Sequence, residues 1–133
     1  MIKGLSPRLQ KILGIYAQEE GRKSGADQLL PEHLLLAMVK SASSVGFALL
    51  QYLKINLLTF QLALEQSIPF HTSGTAFAEI LPSRRLKTVF DIAAVESRSM
   101  RRDYIGTEHF LLGCIREEQS ICRHFFQKAG ISI

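Results

Sequence analysis

Glutamate followed at once by histidine occurs twice in this chain, as Glu32-His33 and Glu108-His109, and each pair heads an apolar run. The first run reads Leu30-Pro31-Glu32-His33-Leu34-Leu35-Leu36-Ala37-Met38-Val39-Lys40, and the second reads Gly106-Thr107-Glu108-His109-Phe110-Leu111-Leu112-Gly113-Cys114-Ile115-Arg116. A carboxylate beside an imidazole can hold a metal, move a proton or bind a partner. The metal reading is the weakest: His-Glu-x-x-His is absent, and adjacent residues on a helix project about 100° apart, so they do not converge on one ion. A histidine repeated at this position reads as a packed ring hydrogen-bonded to the neighbouring turn. His71 and His124 complete the set, with His124 read as a partly exposed helix residue.

Proton transfer finds no better support. No nucleophile elbow, paired-carboxylate signature or cofactor loop is present, so no catalytic residue and no cofactor is expected. G-x-x-x-x-G-K-[ST] is absent, as is any Gly-Lys dipeptide, so these residues cannot build the loop that cradles nucleotide phosphates. For the glutamates two readings stay open. Thr107 can accept from the N–H groups of a first helical turn, and Glu108 places negative charge at the positive end of the helix dipole, worth about 0.3–1 kcal/mol. On that reading the motif is a helix start with no ligand; on the other, the carboxylates bind something.

The elements that position both pairs are themselves repeated. Sliding the chain by 76 residues lays 5–57 over 81–133 without a gap, with 14 of 53 paired residues identical. A duplicated helical unit cannot bury its apolar face alone, so two copies are expected to pack together as a compact pseudo-symmetric domain. Apolar residues recur at three- and four-residue intervals, as in Leu9, Ile12, Leu13, Tyr16 and Ala17, and predict an all-α fold. Helices are expected over about 6–24, 31–41, 44–53, 56–67, 83–101, 107–117 and 119–129. Ser6-Pro7 supplies a cap and a proline at the first helical position, and Gly25 and Gly130 supply stops. The stretch Leu34 to Val39 is too uniformly apolar for a half-exposed helix and reads as buried. We read one domain over 1–133: repeat one 5–67, an inter-repeat loop 68–80 in which Phe70 and Phe77 could pack down, and repeat two 81–133.

Composition bounds the function. Apolar residues make up 47% of 133, enough for a core in the commonest domain size range. No apolar run approaches a membrane span and no signal peptide opens the chain, so a cytoplasmic protein with no membrane partner is expected. Cys114 and Cys122, the two cysteines, fit no C-x-x-C pair and read as buried free thiols on neighbouring helices. The net charge of +4 is modest. Without interleaved basic and aromatic residues, nucleic acid is not an expected partner. Arg98, Arg101 and Arg102 cluster at a helix C-terminus, where cations suit the dipole.

The run Asp103-Tyr104-Ile105-Gly106-Thr107-Glu108-His109-Phe110-Leu111-Leu112-Gly113, with Lys128-Ala129-Gly130-Ile131 closing the repeat, resembles the second repeat of the Clp N-terminal domain. That is the double-repeat module at the front of the Clp/Hsp100 unfoldase ATPases. Leu30 to Met38 resembles the same unit in the first repeat, and the resemblance covers nearly the whole chain. It implies a pseudo-two-fold bundle of two four-helix repeats, about seven to eight helices, that docks adaptor proteins and protein substrates for an attached AAA+ motor and, indirectly, a Clp peptidase. Either the motor follows in a longer parent chain or this is a freestanding relative that regulates a Clp protease. In ClpC-like members the glutamate of each motif holds the guanidinium of a phosphoarginine tag, and hydroxyls and helix-start amides hold its phosphate. Carried over, Glu32 and Glu108 are the guanidinium partners, with Ser6, Ser83 and Thr107 near the phosphates. A bidentate carboxylate–guanidinium pair and an anion at a helix N-terminus suit that chemistry. Pro31 and Pro82 stand where the resembled pattern has threonine. If both glutamates are ligand residues, replacing them is expected to weaken binding and leave folding intact.

Overall fold

The first helix starts at a serine-proline pair and stops at a glycine in the computed structural model, which describes residues 4–41, 44–70 and 79–131. Ser6 is extended, its Oγ accepts from the Leu9 N–H at 3.2 Å, and Pro7 takes the first helical position. Gly25 turns left-handed at φ 67°, a conformation that costs glycine nothing. This helix, α1, runs as Pro7–Lys11, a π-helical turn Ile12–Tyr16, and Ala17–Ser24. Then follow α2 Pro31–Ser41, α3 Val45–Tyr52, α4 Leu57–Ser67, α5 Arg84–Ser99, α6 Thr107–Arg116 and α7 Ile121–Lys128. Each expected helix is present, with ends moved by a residue or two. Side chains of Ser44, Asn56, Ser83 and Ser120 cap α3, α4, α5 and α7 by accepting first-turn N–H groups. Among the described residues there are seven helices and no strand, and no single helix is long and apolar enough to cross a membrane.

The two repeats clasp each other at their leading segments. Leu5 and Ile105 form an isolated parallel bridge, and so do Leu29 and Pro82. The Ser6 N–H donates to Ile105 O and the Ser83 N–H to Leu29 O, each at 2.9 Å. The start of α1 is therefore fixed beside the start of α6, and the start of α5 beside the start of α2. Other pairs repeat the symmetry. Lys40 binds Glu20 at 3.0 Å, and 76 residues on Arg116 binds Glu96 at 3.3 Å.

Glu-His helices α2 and α6 supply the centre. Leu34, Leu35, Met38, Phe110 and Leu111 are buried, and α6 lies so close to α5 that a Cβ on Gly113 would meet Val89 O at 2.6 Å. Helix α4 closes the far side by stacking Phe60 on Phe125 and Phe126 of α7. Phe70, three residues past the end of α4 at Ser67, is exposed rather than packed down. His71 and Phe77 lie outside the described residues. Cys114 and Cys122 are free, buried thiols on α6 and α7, and burial pushes both well above the usual thiol range, Cys114 further raised by Cys122.

The gapless register does not survive the first helix. The bridges equate Leu5 with Pro82 and the N-caps equate Ser6 with Ser83, an offset of 77, whereas Leu29 with Ile105 is an offset of 76. Buried positions show where the step occurs. Leu9 and Ile12 match Leu86 and Val89 at 77, but Ala17 matches Ala93 at 76. Between them lies the π-helical turn Ile12–Tyr16. A π-turn absorbs one inserted residue in an α-helix, so α1 carries one residue more than α5 and keeps both of its ends in register with their mates.

Deleting Gly14, whose Cα faces open space, should therefore convert the turn to regular α-helix with the melting temperature lowered by a few degrees. Deleting Thr88 from α5, where no turn can absorb the change, should unfold the chain. Circular dichroism melts of the two variants decide it; equal damage would contradict the insertion account.

Candidate functional site

Two junctions arise from the clasp, one where α2 starts beside α5 and one where α6 starts beside α1. Each holds a Glu-His pair. His33 lies at the third helical position of α2, where its Nδ1 accepts the Leu30 N–H at 2.9 Å; His109 does the same for the Gly106 N–H at 2.8 Å. This is half of a capping box, with imidazole in place of the usual Glu or Gln. Since Nδ1 accepts, the proton sits on Nε2, which donates to Ser24 Oγ at 3.1 Å. Burial pushes the His33 pKa down to about 4, against an upward pull from Glu20. Both rings are structural groups whose Nδ1 faces the backbone. His124 is exposed on α7.

The hydroxyls expected near a ligand are engaged inside the fold. Ser6 Oγ and Ser83 Oγ accept the Leu9 and Leu86 N–H groups as helix caps, the latter at 3.1 Å. In the second repeat the capping residue is Ser83, so Pro82 precedes the cap and displaces no capping hydroxyl. Thr107 is 2% exposed, and its Oγ1 accepts the Gly46 N–H at 2.8 Å across the seam to α3. Its hydroxyl serves packing rather than a surface ligand. At the equivalent place in repeat one, Pro31 has no hydroxyl to give; the amide that matches Gly46, that of Cys122, is satisfied by Ser120 Oγ at 3.1 Å instead.

The glutamates are where the symmetry breaks. Glu32 is buried and already holds a guanidinium: Arg85 Nη1 donates to its Oε1 at 3.2 Å and Nη2 to its Oε2 at 2.9 Å. Arg85 Nε and Nη2 also donate to Glu117 Oε1, at 3.2 and 2.9 Å. Burial would lower the Arg85 pKa, but hydrogen bonds and charge from Glu32 and then Glu117 outweigh it and raise the value. Glu108, the mate of Glu32, is half-buried and has no ion-pair partner among the described residues. Its carboxylate folds back over Gly106, where a Cβ would meet Glu108 Oε1 at 2.1 Å. Arg8, the mate of Arg85, is exposed and does not pair with it. Sequence reasoning missed Arg85 and Glu117; the signal available was Arg85 in the first turn of a helix, where a cation opposes the dipole and calls for carboxylates.

The fold and its paired helix-start junctions define an all-α double-repeat domain. The sequence model of the Clp repeat (R) N-terminal domain matches residues 4–129, and the chain belongs to that family. It is 30% identical over 133 residues to the chaperone protein ClpB of Oceanobacillus iheyensis, covering all of this chain and 16% of that protein. Identity and coverage are the same for the negative regulator of genetic competence ClpC/MecB of Bacillus subtilis. The chain thus spans about a sixth of the length of the curated relatives it matches. Among solved structures it resembles the Hsp104 N-terminal domain of Candida albicans, with TM-score 0.77 and 22% identity over 98% of this chain and 84% of that one. The N-terminal domain of ClpD from Arabidopsis thaliana gives TM-score 0.68 and 19% identity over 97% and 86%.

Two predictions follow from the unequal environments of these groups. A histidine held below its unfolded value of 6.5 contributes stability that is complete above that pH and is lost as pH falls toward about 4. The ring carbon shifts of His33 should accordingly titrate near 4; a midpoint near 6.5 would contradict its buried, neutral state. For the glutamates, Glu32→Ala should cost ~1.5–3 kcal/mol in urea unfolding, the range for hydrogen bonds to charged groups, and Glu108→Ala no more than ~1 kcal/mol, the worth of an acidic side chain at a helix N-terminus. Equal costs would mean that the asymmetry is not energetic.

Proposed function

We propose that this domain is a non-catalytic recognition module of a Clp-type AAA+ unfoldase, docking adaptor proteins and protein substrates and delivering them to the motor for unfolding or degradation. The observation that carries the reading is the family match across residues 4–129 in a chain similar to a sixth of ClpB and ClpC. The mechanism is tethering. Binding a cargo near the pore raises its local concentration there and needs no new contact at the pore itself.

Within that role, Glu108 is the residue best placed to read a phosphoarginine tag. It is half-buried, has no ion-pair partner among the described residues and lies at the start of α6, while Ser6 at the start of α1 is hydrogen-bonded to Ile105 three residues away along the chain. Carboxylate for the guanidinium and a helix N-terminus for the phosphate are complementary to the two ends of such a group. Glu32 enters the same reading with Arg85 already across it.

The test compares casein carrying phosphoarginine with untreated casein, using fluorescence anisotropy against the purified chain. Tag reading predicts at least ~10-fold tighter binding of the tagged form, a gap of ~1.4 kcal/mol, removed by Glu108→Ala without a change in melting temperature. Equal binding of both forms would leave substrate docking and remove tag reading. Binding of neither would contradict a substrate-docking role for this domain.

A further inference from the structure

The two helix-start junctions are built alike and then filled differently, and the difference is traceable to one pair of mates. Arg85 sits in the first turn of α5 and Glu117 is the C-terminal cap of α6. Each is the wrong sign for its helix end, since cations oppose the dipole at an N-terminus and anions at a C-terminus. Neither placement is explained by its own helix. Each is explained by the other, and by Glu32, whose carboxylate takes the guanidinium in the two-pronged geometry that carboxylates use for arginine. Glu117 is further fixed by accepting the Gln119 N–H at 2.8 Å on its second oxygen.

At the second junction the same construction is missing one part. The mate of Glu117 is Ser41, whose Oγ donates to Met38 O at 3.2 Å and offers no charge. Arg8 stays in solvent and pairs with no carboxylate among the described residues. A single exposed pair is worth little against the entropy of fixing a long side chain, about 0–1 kcal/mol. Two carboxylates with side chains only 4% and 7% exposed are a different matter, because leaving either unpaired would strand a buried charge.

We propose that Arg85 is a built-in occupant of the first of two guanidinium seats, so that an incoming arginine-type group finds one seat filled by the chain itself and one open, at Glu108. The evidence that Glu108 is such a seat, beyond its lying at a helix start, is internal: its symmetry mate ligates a guanidinium in this same structure. The inference rests on the tag-reading role proposed above for the ligand it names, while the occupancy of Glu32 stands on geometry alone. The Arg85 side chain is 29% exposed and the Glu32 side chain it binds 4%, so removing Arg85 leaves the Glu32 carboxylate without the guanidinium it now holds.

Two experiments separate the parts. In calorimetric titration with phosphoarginine, the natural chain should bind one equivalent, lost on Glu108→Ala. Arg85→Ala should bind two, the added one lost on Glu32→Gln. Two equivalents with Arg85 in place, or one after its removal, would overturn the proposal. If the natural chain binds none, the tag reading fails and the second experiment decides the occupancy alone. Ethylguanidinium, which carries the arginine head group, should raise the melting temperature of Arg85→Ala by several degrees more than that of the natural chain, as ligand binding to the folded state requires. The gain should vanish in Arg85→Ala with Glu32→Gln, and ethylammonium should not reproduce it. Equal shifts in all proteins would overturn the occupancy. Should Arg85→Ala fail to fold, Arg85→Ala with Glu117→Gln relieves the like-charge pair and is measured in its place.

Discussion

Everything in this fold depends on the reciprocal clasp, in which the residue ahead of each repeat's first helix hydrogen-bonds to the residue ahead of the other repeat's Glu-His helix. The Ser6 N–H to Ile105 O and Ser83 N–H to Leu29 O bonds are short-range in space and long-range in sequence. They cannot form within one copy. By tying four helix starts together in two pairs, they set the start of each Glu-His helix against the start of the other repeat's first helix, so that both glutamates emerge beside a foreign helix N-terminus. The inserted residue in α1 shows how strict the constraint is. The helix adopts a π-turn, with its poorer hydrogen-bond geometry, rather than let either end leave its bridge.

Such a scaffold explains why duplicated sequence need not mean duplicated chemistry. The clasp enforces equal backbones, and the repeated features are those that serve it: the serine caps, the histidines bonded to the preceding amide, the Glu20–Lys40 and Glu96–Arg116 pairs. Side chains that project beyond it vary. Glu117 opposite Ser41, and Thr107 opposite Pro31, leave one junction closed by an internal three-residue charge cluster and the other with a half-buried carboxylate that has no ion-pair partner among the described residues. For a module of the Clp repeat N-terminal family, this means that two equivalent-looking motifs can differ in whether they are available to a partner.

How much of this was legible from the residues follows from how local each signal is. Helix limits were readable because caps and stops act over three or four residues, as at Ser6, Asn56, Ser83 and Gly25. The buried apolar run of α2 and the packed histidines were readable for the same reason. The π-turn was hidden by coincidence: Leu5, Arg8 and Lys11 match Leu81, Arg84 and Lys87 at the wrong offset, so identities masked the slip that the buried pattern Leu9, Ile12, Ala17 betrays. The pairing of Arg85 with Glu32 spans 53 positions, and no periodicity reports on which of several arginines reaches across a seam. Thr107 looked like a ligand hydroxyl because its sequence neighbours are shared by both uses; only the Gly46 amide 61 positions away distinguishes them.

The central claim is that the two Glu-His helix starts are unequal before any partner arrives, and the guanidinium groups report it directly. Nitrogen-detected magnetic resonance of the arginine side chains, with Arg85 assigned by its Arg85→Lys variant, measures how fast each group rotates and exchanges its protons. The account predicts that Arg85 gives a slowly rotating, exchange-protected guanidinium and Arg8 a fast-exchanging one, and that Glu32→Gln releases Arg85 while Glu108→Gln changes neither. Averaged, unprotected signals from both Arg8 and Arg85 would contradict it.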